Sequence, residues 1–262
     1  MPDVAVFTKD DLTINGAGAL EVTGNYRNGI TSKDYFTVTG GDIRVTAVHG
    51  ALRRWDGVTV TSGVFTLDAG ADGIKLNNDE DPEKGFVTLA GGTFTINAGD
   101  DGILAETALE ISGGSYVITC GGGSALAEPR RTRGFGGGRG MRPDGQSAPA
   151  SSGEAPAAQT SAVRAAAEPA VGTQADSASA ETENTSAKGP RAGTALTISG
   201  GTFTIDSLDD SIHSNGDAEI SGGEFTLFTG DDGMHADGGL LVSDSTMEIA
   251  TSYEGLEGAK IP

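Results

Sequence analysis

Gly200-Gly201-Thr202-Phe203-Thr204-Ile205-Asp206-Ser207-Leu208-Asp209-Asp210-Ser211-Ile212-His213 is followed, 22 residues on, by Gly222-Gly223-Glu224-Phe225-Thr226-Leu227-Phe228-Thr229-Gly230-Asp231-Asp232-Gly233-Met234-His235. Both stretches carry a small pair, an alternating strand, an acidic pair and a second short apolar segment. Alternation of apolar and Thr/Glu residues means that one face of each strand is buried. The Gly-Gly and Asp-Gly pairs supply turns at backbone angles that other residues resist.

Working outward, the first large apolar residue of the unit recurs as Ile43, Phe65, Phe94, Tyr116, Phe203, Phe225 and Met247, with steps of 22, 29, 22, 87, 22 and 22. A second column reads Ile30, Leu52, Ile74, Ile103, Leu126, Ile212, Met234 and Leu256, with steps of 22, 22, 29, 23, 86, 22 and 22. Two independent columns thus agree on the period. Short strands and turns at a fixed period, with no helical periodicity, point to a solenoid whose coils stack on one another. The expected fold is all-β: a right-handed parallel β-helix of 22-residue coils. A propeller or sandwich would use longer units with less regular turns.

The long steps locate two insertions. One is short, Asn77-Asn78-Asp79-Glu80-Asp81-Pro82-Glu83-Lys84. The other covers 128–190, so that 1–127 and 191–262 are two parts of one β-helix, the second expected to be truncated at Pro262. The long insertion is rich in Ala, Ser, Gly and Pro and nearly devoid of large apolar residues. Such a composition cannot offset its ordering entropy, so disorder is expected. Arg130 to Arg142 resembles an RGG-type segment and reads as a flexible loop.

The whole chain holds 42 glycines, 5% aromatics and a formal net charge of −20. Residues 121–193 contain eight basic and seven acidic side chains, leaving nine basic and thirty acidic elsewhere. So acidic a fold is unsuited to nucleic acid, whose phosphates need Lys and Arg. It suits cations, or acidic polymers bridged by cations; a merely solvated surface is the plainer alternative. No apolar stretch is long enough to span a membrane as a helix. The start, Met1-Pro2-Asp3-Val4-Ala5, shows no signal pattern, although the chain reads as beginning inside the fold. The single cysteine, Cys120, reads as a core filler.

The acids preceding the second column are Asp72, Asp100-Asp101, Asp209-Asp210, Asp231-Asp232 and Glu254, with a bare Gly122-Gly123-Ser124 coil between. Stacking aligns Asp72 with Asp101, and Asp210 with Asp232 and Glu254. Like charges about 5 Å apart repel by roughly 3 kcal/mol at an effective dielectric of 20. Calcium between them is one compensation, since calcium–oxygen bonds run at about 2.3–2.6 Å. The same aspartates also read as ordinary turn residues that cap backbone N–H groups and need no ion. Asn77, Asp79 and Asp81 place oxygen ligands on alternate residues, as hard-cation loops do. His213 and His235 are expected as exposed neighbours in contact with ligand, or as plain surface residues. Trp55 reads as a sugar-stacking platform or as a packing residue.

The repeated stretches Asp100-Asp101-Gly102-Ile103, Asp209-Asp210-Ser211-Ile212-His213 and Asp231-Asp232-Gly233-Met234-His235, with Ser252-Tyr253-Glu254-Gly255-Leu256-Glu257, resemble a bacterial carbohydrate-binding β-helix family. Ser211 stands where that pattern has glycine. The resemblance implies a secreted or surface-attached, calcium-binding protein that binds acidic plant polysaccharide and cellulose, on a fold similar to pectate lyases. The leading expectation is therefore a monomeric, non-catalytic binder with calcium on its Asp ladders, located outside the cell. One alternative is a calcium-dependent polysaccharide lyase with Lys75 as base; another is a passive adhesion solenoid.

Overall fold

The computed structural model describes residues 3–54, 56–78, 81–127 and 187–262. Trp55, Asp79 and residues 128–186 of the long insertion lie outside the described residues. Every strand pairing among the described residues is parallel, and the only helical element is a single 3-10 turn, Ser124–Leu126.

The strands stack in three rows that each coil visits in turn. Row A holds Val4–Thr8, Asn28–Ser32, Leu52–Arg54, Ile74–Leu76, Ile103–Ala105, Pro190–Ala192, Ile212–Ser214, the start of Asp232–Val242, and Glu254–Lys260. Row B holds Leu12–Ile14, the first parts of Tyr35–Ala47 and Gly57–Ala69, Phe86–Leu89, Ala108–Ile111, Ala195–Ile198, Asp217–Ile220 and the end of Asp232–Val242. Row C holds Ala19–Gly24, the second parts of the two long strands, Thr93–Ala98, Ser115–Cys120, Thr202–Ser207, Glu224–Thr229 and Thr246–Thr251. The fold is the expected β-solenoid.

Both apolar columns become interior ladders. In row C, Phe65, Phe94, Tyr116, Phe203 and Phe225 pair rung on rung, with ring centroids 4.6–4.9 Å apart and planes within 7°. All five are at most 3% exposed. The Tyr116 hydroxyl, which burial would otherwise strand, donates to the Gly113 carbonyl at 2.8 Å. Cys120 sits in the same row between Ala98 and Ser207, fully buried, as a core filler does. The glycine at the row C entrance adopts a positive φ in coil after coil, for example +113° at Gly92 and +116° at Gly201. A side chain there would be strained.

The second column differs from expectation at two rungs: Leu256 pairs with Met234 but is exposed, and the Leu126 rung is filled by another residue. Ile103 pairs with Pro190, not with Leu126, which stands 67% exposed on the 3-10 turn. The chain leaves the solenoid at Gly121–Ala127 and is back in it by Ala187, so residues 187–190, expected to be insertion, complete the coil. Counting forward from Ile103 reaches Leu126 after 23 residues, while counting back from Ile212 reaches Pro190 after 22, and a proline is a weak apolar marker, so the period alone did not place the break. The halves on either side stack directly, Tyr116 on Phe203 at 4.7 Å. The short insertion is as expected, a loop between Leu76 and Phe86. Its Asn78 and Lys84 side chains close on the buried Asp56 at 2.9 and 3.0 Å.

Phe203 has an aromatic ring on each side, so its removal leaves a cavity that neighbouring rungs cannot close. Phe203→Ala should cost about 3–5 kcal/mol, read as a lowered urea midpoint. A loss under about 1 kcal/mol would contradict this packing.

Candidate functional site

The corner leading from row C into row A carries the acids. Backbone hydrogen bonds run Gly73 N–H to Asp101, Gly102 N–H to Lys188, Gly189 N–H to Asp210 and Ser211 N–H to Asp232, each to the carbonyl of the next rung. The ladder therefore reads Asp72, Asp101, Lys188, Asp210, Asp232, and Glu254 beyond it. The coil expected to be bare holds a lysine. Its signal was present in the sequence as Ala187-Lys188-Gly189, the same small-charged-glycine pattern as Ala71-Asp72-Gly73.

Lys188 is only 9% exposed. Its ammonium donates to Asp210 Oδ2 and pairs with Asp209 Oδ2 at 2.9 Å, while its backbone N–H donates to Asp101 Oδ1 at 2.9 Å. One residue thus serves the carboxylates of the rungs on both sides.

A second compensation comes from the residue three positions after each ladder residue, which points outward from row A. Register aligns Arg53, Lys75, Leu104, Arg191, His213, His235 and Glu257 in one column beside the ladder. Lys75 pairs with Asp72 at 3.1 Å, Arg191 reaches Asp101 at 3.2 Å, and His213 Nδ1 lies 2.8 Å from Asp210 Oδ2. His213 and His235 stack with ring centroids 4.9 Å apart. Expected as exposed neighbours, they differ: His213 is 8% exposed and buried, whereas His235 is half-buried. Both rings are held at both nitrogens, His213 Nε2 lying 2.8 Å from Asn215 Oδ1. His213, however, is covered on its two sides by Arg191 and His235, whereas His235 is followed by the exposed Glu257.

These contacts split the carboxylates. Burial works to raise the pKa of Asp210, but hydrogen bonds from His213 and Lys188, with the lysine's charge, hold it down at about 2. Asp101 goes the other way. Burial lifts it to about 6 against the Lys188 N–H and Arg191. Burial also pushes Asp232 up to about 7, helped by a hydrogen bond shared with Glu257. His235 is held above its ordinary value by Asp232 and Asp237, in spite of burial.

The residues expected to bind calcium fall into different situations. Asp209, Asp210 and Asp231 gather with ligand oxygens within 4.8 Å of one another, an all-oxygen group fit for a hard cation. Asp72 and Asp101 belong to no group of three among the described residues, and both already accept from the chain's own cations. Asp100 precedes this buried acid as a half-exposed residue, and Glu254 is exposed. Asn77 is engaged by Arg53 at 3.0 Å, and Asp81 Oδ1 accepts the Glu83 N–H at 3.0 Å, so the acidic loop is tied to protein donors. At the other end of row A, Phe7, Asn28, Thr31, Arg53 and Asn77 line a cleft of about 270 Å³ that sequence reading did not single out.

Three comparisons bear on what such a surface does. A family model described as carbohydrate-binding domain-containing protein matches residues 1–233. A carbohydrate-binding domain-containing protein of Acetivibrio thermocellus is 38% identical over 85 residues, covering 32% of this chain and 30% of that protein. No solved structure matches the chain.

Asp210's low pKa sets a pH dependence. A folded-state value near 2 lies below the ordinary value of 3.8, so the stability it supplies is present above pH 4 and lost as pH falls towards 2. The loss should be about 2 kcal/mol in acid unfolding curves, and should be missing in Asp210→Asn. Lys188→Met, which leaves Asp210 without its ammonium, should cost about 3–5 kcal/mol at neutral pH.

Proposed function

The chain belongs to the family of carbohydrate-binding domain-containing proteins, and from that premise we propose that it is a non-catalytic binder whose ligand is an acidic plant cell-wall polysaccharide laid along the outer column of row A. The observation that carries this reading is the column itself. Arg53, Lys75, Arg191, His213 and His235 form a line of cationic and hydrogen-bonding groups on a chain whose net charge is −20. Rungs of a parallel sheet repeat at about 4.7–4.9 Å, so the line presents donors at multiples of that spacing to a regularly repeating polymer, with a gap at Leu104.

Chemistry along the line is graded. At its N-terminal end the cleft combines the half-exposed ring of Phe7, the Arg53 guanidinium and the amides of Asn28 and Asn77. An aromatic face with a few polar groups suits a sugar ring. Further along, Lys75 and Arg191 are shared with Asp72 and Asp101, so a uronate there would have to compete with buried carboxylates. A long-range field of net −20 also repels a polyanion. Calcium held by Asp209, Asp210 and Asp231 and shared with a sugar carboxylate answers both obstacles. This group is the calcium site of the proposal. Lys188 sits against two of its members and competes with the ion. Such a polymer meets the protein outside the cell or at its surface.

In the lyase alternative Lys75 removes a proton next to a uronate carboxylate. Its ammonium is instead paired with Asp72 at 3.1 Å, so the nitrogen is directed at the chain's own carboxylate and not at a sugar. Polygalacturonate affinity electrophoresis tests the proposal. Wild type should be retarded in calcium and released by chelator, with no absorbance from unsaturated ends. Arg53→Ala and the Asp209→Asn/Asp231→Asn pair should each weaken retention at least about tenfold, while Lys188→Ala should lower the calcium concentration needed. Retardation equal with and without calcium, and indifferent to these changes, would defeat the reading.

A further inference from the structure

We propose that Asp232, His235 and Glu257 form a binding site for a divalent transition-metal ion of zinc's class, at the C-terminal end of row A. The site shares His235 with the column proposed to carry glycan, and uses none of the three residues of the all-oxygen group assigned to calcium.

Register builds it. His235 pairs with Glu257 in the next coil, while Asp232 begins the same strand three residues earlier. The three ligand atoms lie within 4.8 Å of one another. His235 Nδ1 is 3.3 Å from Asp232 Oδ2 and 3.2 Å from Glu257 Oε2. Charge-assisted N–H···O bonds run shorter, at about 2.7–2.9 Å. Donor atoms on the edge of a tetrahedron around a metal with bonds of about 2.0–2.2 Å stand about 3.3–3.5 Å apart. The spacing is that of a coordination shell.

The second ring nitrogen strengthens the case. His235 Nε2 lies 3.1 Å from Asp237 Oδ1. In the neutral ring an N–H there donates to that carboxylate, and the Nδ1 lone pair faces two carboxylates; a metal ion would take the place that a proton on Nδ1 otherwise fills between them. A carboxylate behind a ligating imidazole is the usual outer support of a metal-bound histidine. Asp232 adds an independent sign. It is only 4% exposed, and its Oδ1 is buried with no hydrogen-bond partner. Unsatisfied buried oxygens of this kind are rare and call for an explanation; an ion at this carboxylate supplies one.

The rung below shows what the same geometry looks like when the chain closes it alone. Asp210 and His213 have the same three-residue spacing, yet their contact is 2.8 Å and Asp210 is further filled by Lys188. No carboxylate from the next coil joins them, because that position is His235. Among the described residues, only at the Asp232 rung do an imidazole nitrogen and carboxylates from two successive coils converge. A nitrogen donor in the set selects against calcium and magnesium, which take oxygen, and towards zinc, cobalt, nickel or copper.

The experiment uses tag-free full chain, stripped with chelator. Calorimetric titration with zinc chloride should give one saturable equivalent, and cobalt substitution should give the visible absorption of a tetrahedral site. Glu257→Gln, at an exposed position where folding is unaffected, and His235→Gln should each abolish the cobalt band. Asp237→Asn should weaken zinc affinity by roughly 10–100-fold while keeping the band. Calcium in hundredfold excess should leave the band in place. Absence of a saturable equivalent, or zinc binding indifferent to Glu257→Gln and His235→Gln, would overturn the proposal.

Discussion

Parallel stacking at one fixed spacing governs this molecule. Each coil lays its residues about 4.8 Å from the equivalent residues of the next, so every property of a position is met by a copy of itself. For apolar and aromatic positions the repetition is favourable, and five rings stack with planes nearly parallel. For charges it is not, since a column of aspartates compounds its own repulsion. Much of the polar chemistry described above is the fold's answer to that second consequence.

Two answers are built into the backbone register. A lysine is placed in the acid ladder, and a basic or imidazole side chain is placed three residues after most of the acids. Both are local, so a charge on one rung is neutralised within a few ångströms by the chain itself. Where the second device runs out, at Glu254 and Glu257, the column turns acidic on both sides. That is where carboxylates remain in excess, and where Asp232 is driven towards its protonated form. The transition-metal ion proposed above belongs to this place, which the protein's own cations serve incompletely, whereas the proposed calcium competes with Lys188.

Much of the fold was legible in the sequence because large apolar residues mark their own period. Ile43, Phe65, Phe94, Tyr116, Phe203 and Phe225 report a buried column to any reader who counts. Lys188 was not legible by the same means. It follows the long insertion, and its coil offers Pro190 where others offer Ile or Met, so the apolar marker was weak just where it was needed. Arg191 and Glu257 were missed for another reason. Alternation says that they point outward, but not that they lean back across the turn onto Asp101 and Asp232. His213 and His235 were found as a pair, yet their unequal burial depends on the neighbouring rungs, Arg191 and His235 flanking one ring and the exposed Glu257 following the other.

The stack of Tyr116 on Phe203 joins residues 87 positions apart, whereas its neighbours in the ladder join residues 22 apart. Coil-by-coil growth is a matter of short-range closures everywhere except at this seam. Closing a chain costs entropy that rises only slowly with its length, so the seam weakens the finished solenoid little. Kinetically it is a different kind of event, because low contact order is what makes assembly fast. The two stretches can each wind up from local contacts, and the slow step is their docking face to face. Tyr116 and Phe203 are then the meeting surfaces of two half-solenoids, and an aromatic ring on each side makes that encounter both broad in area and strict in register.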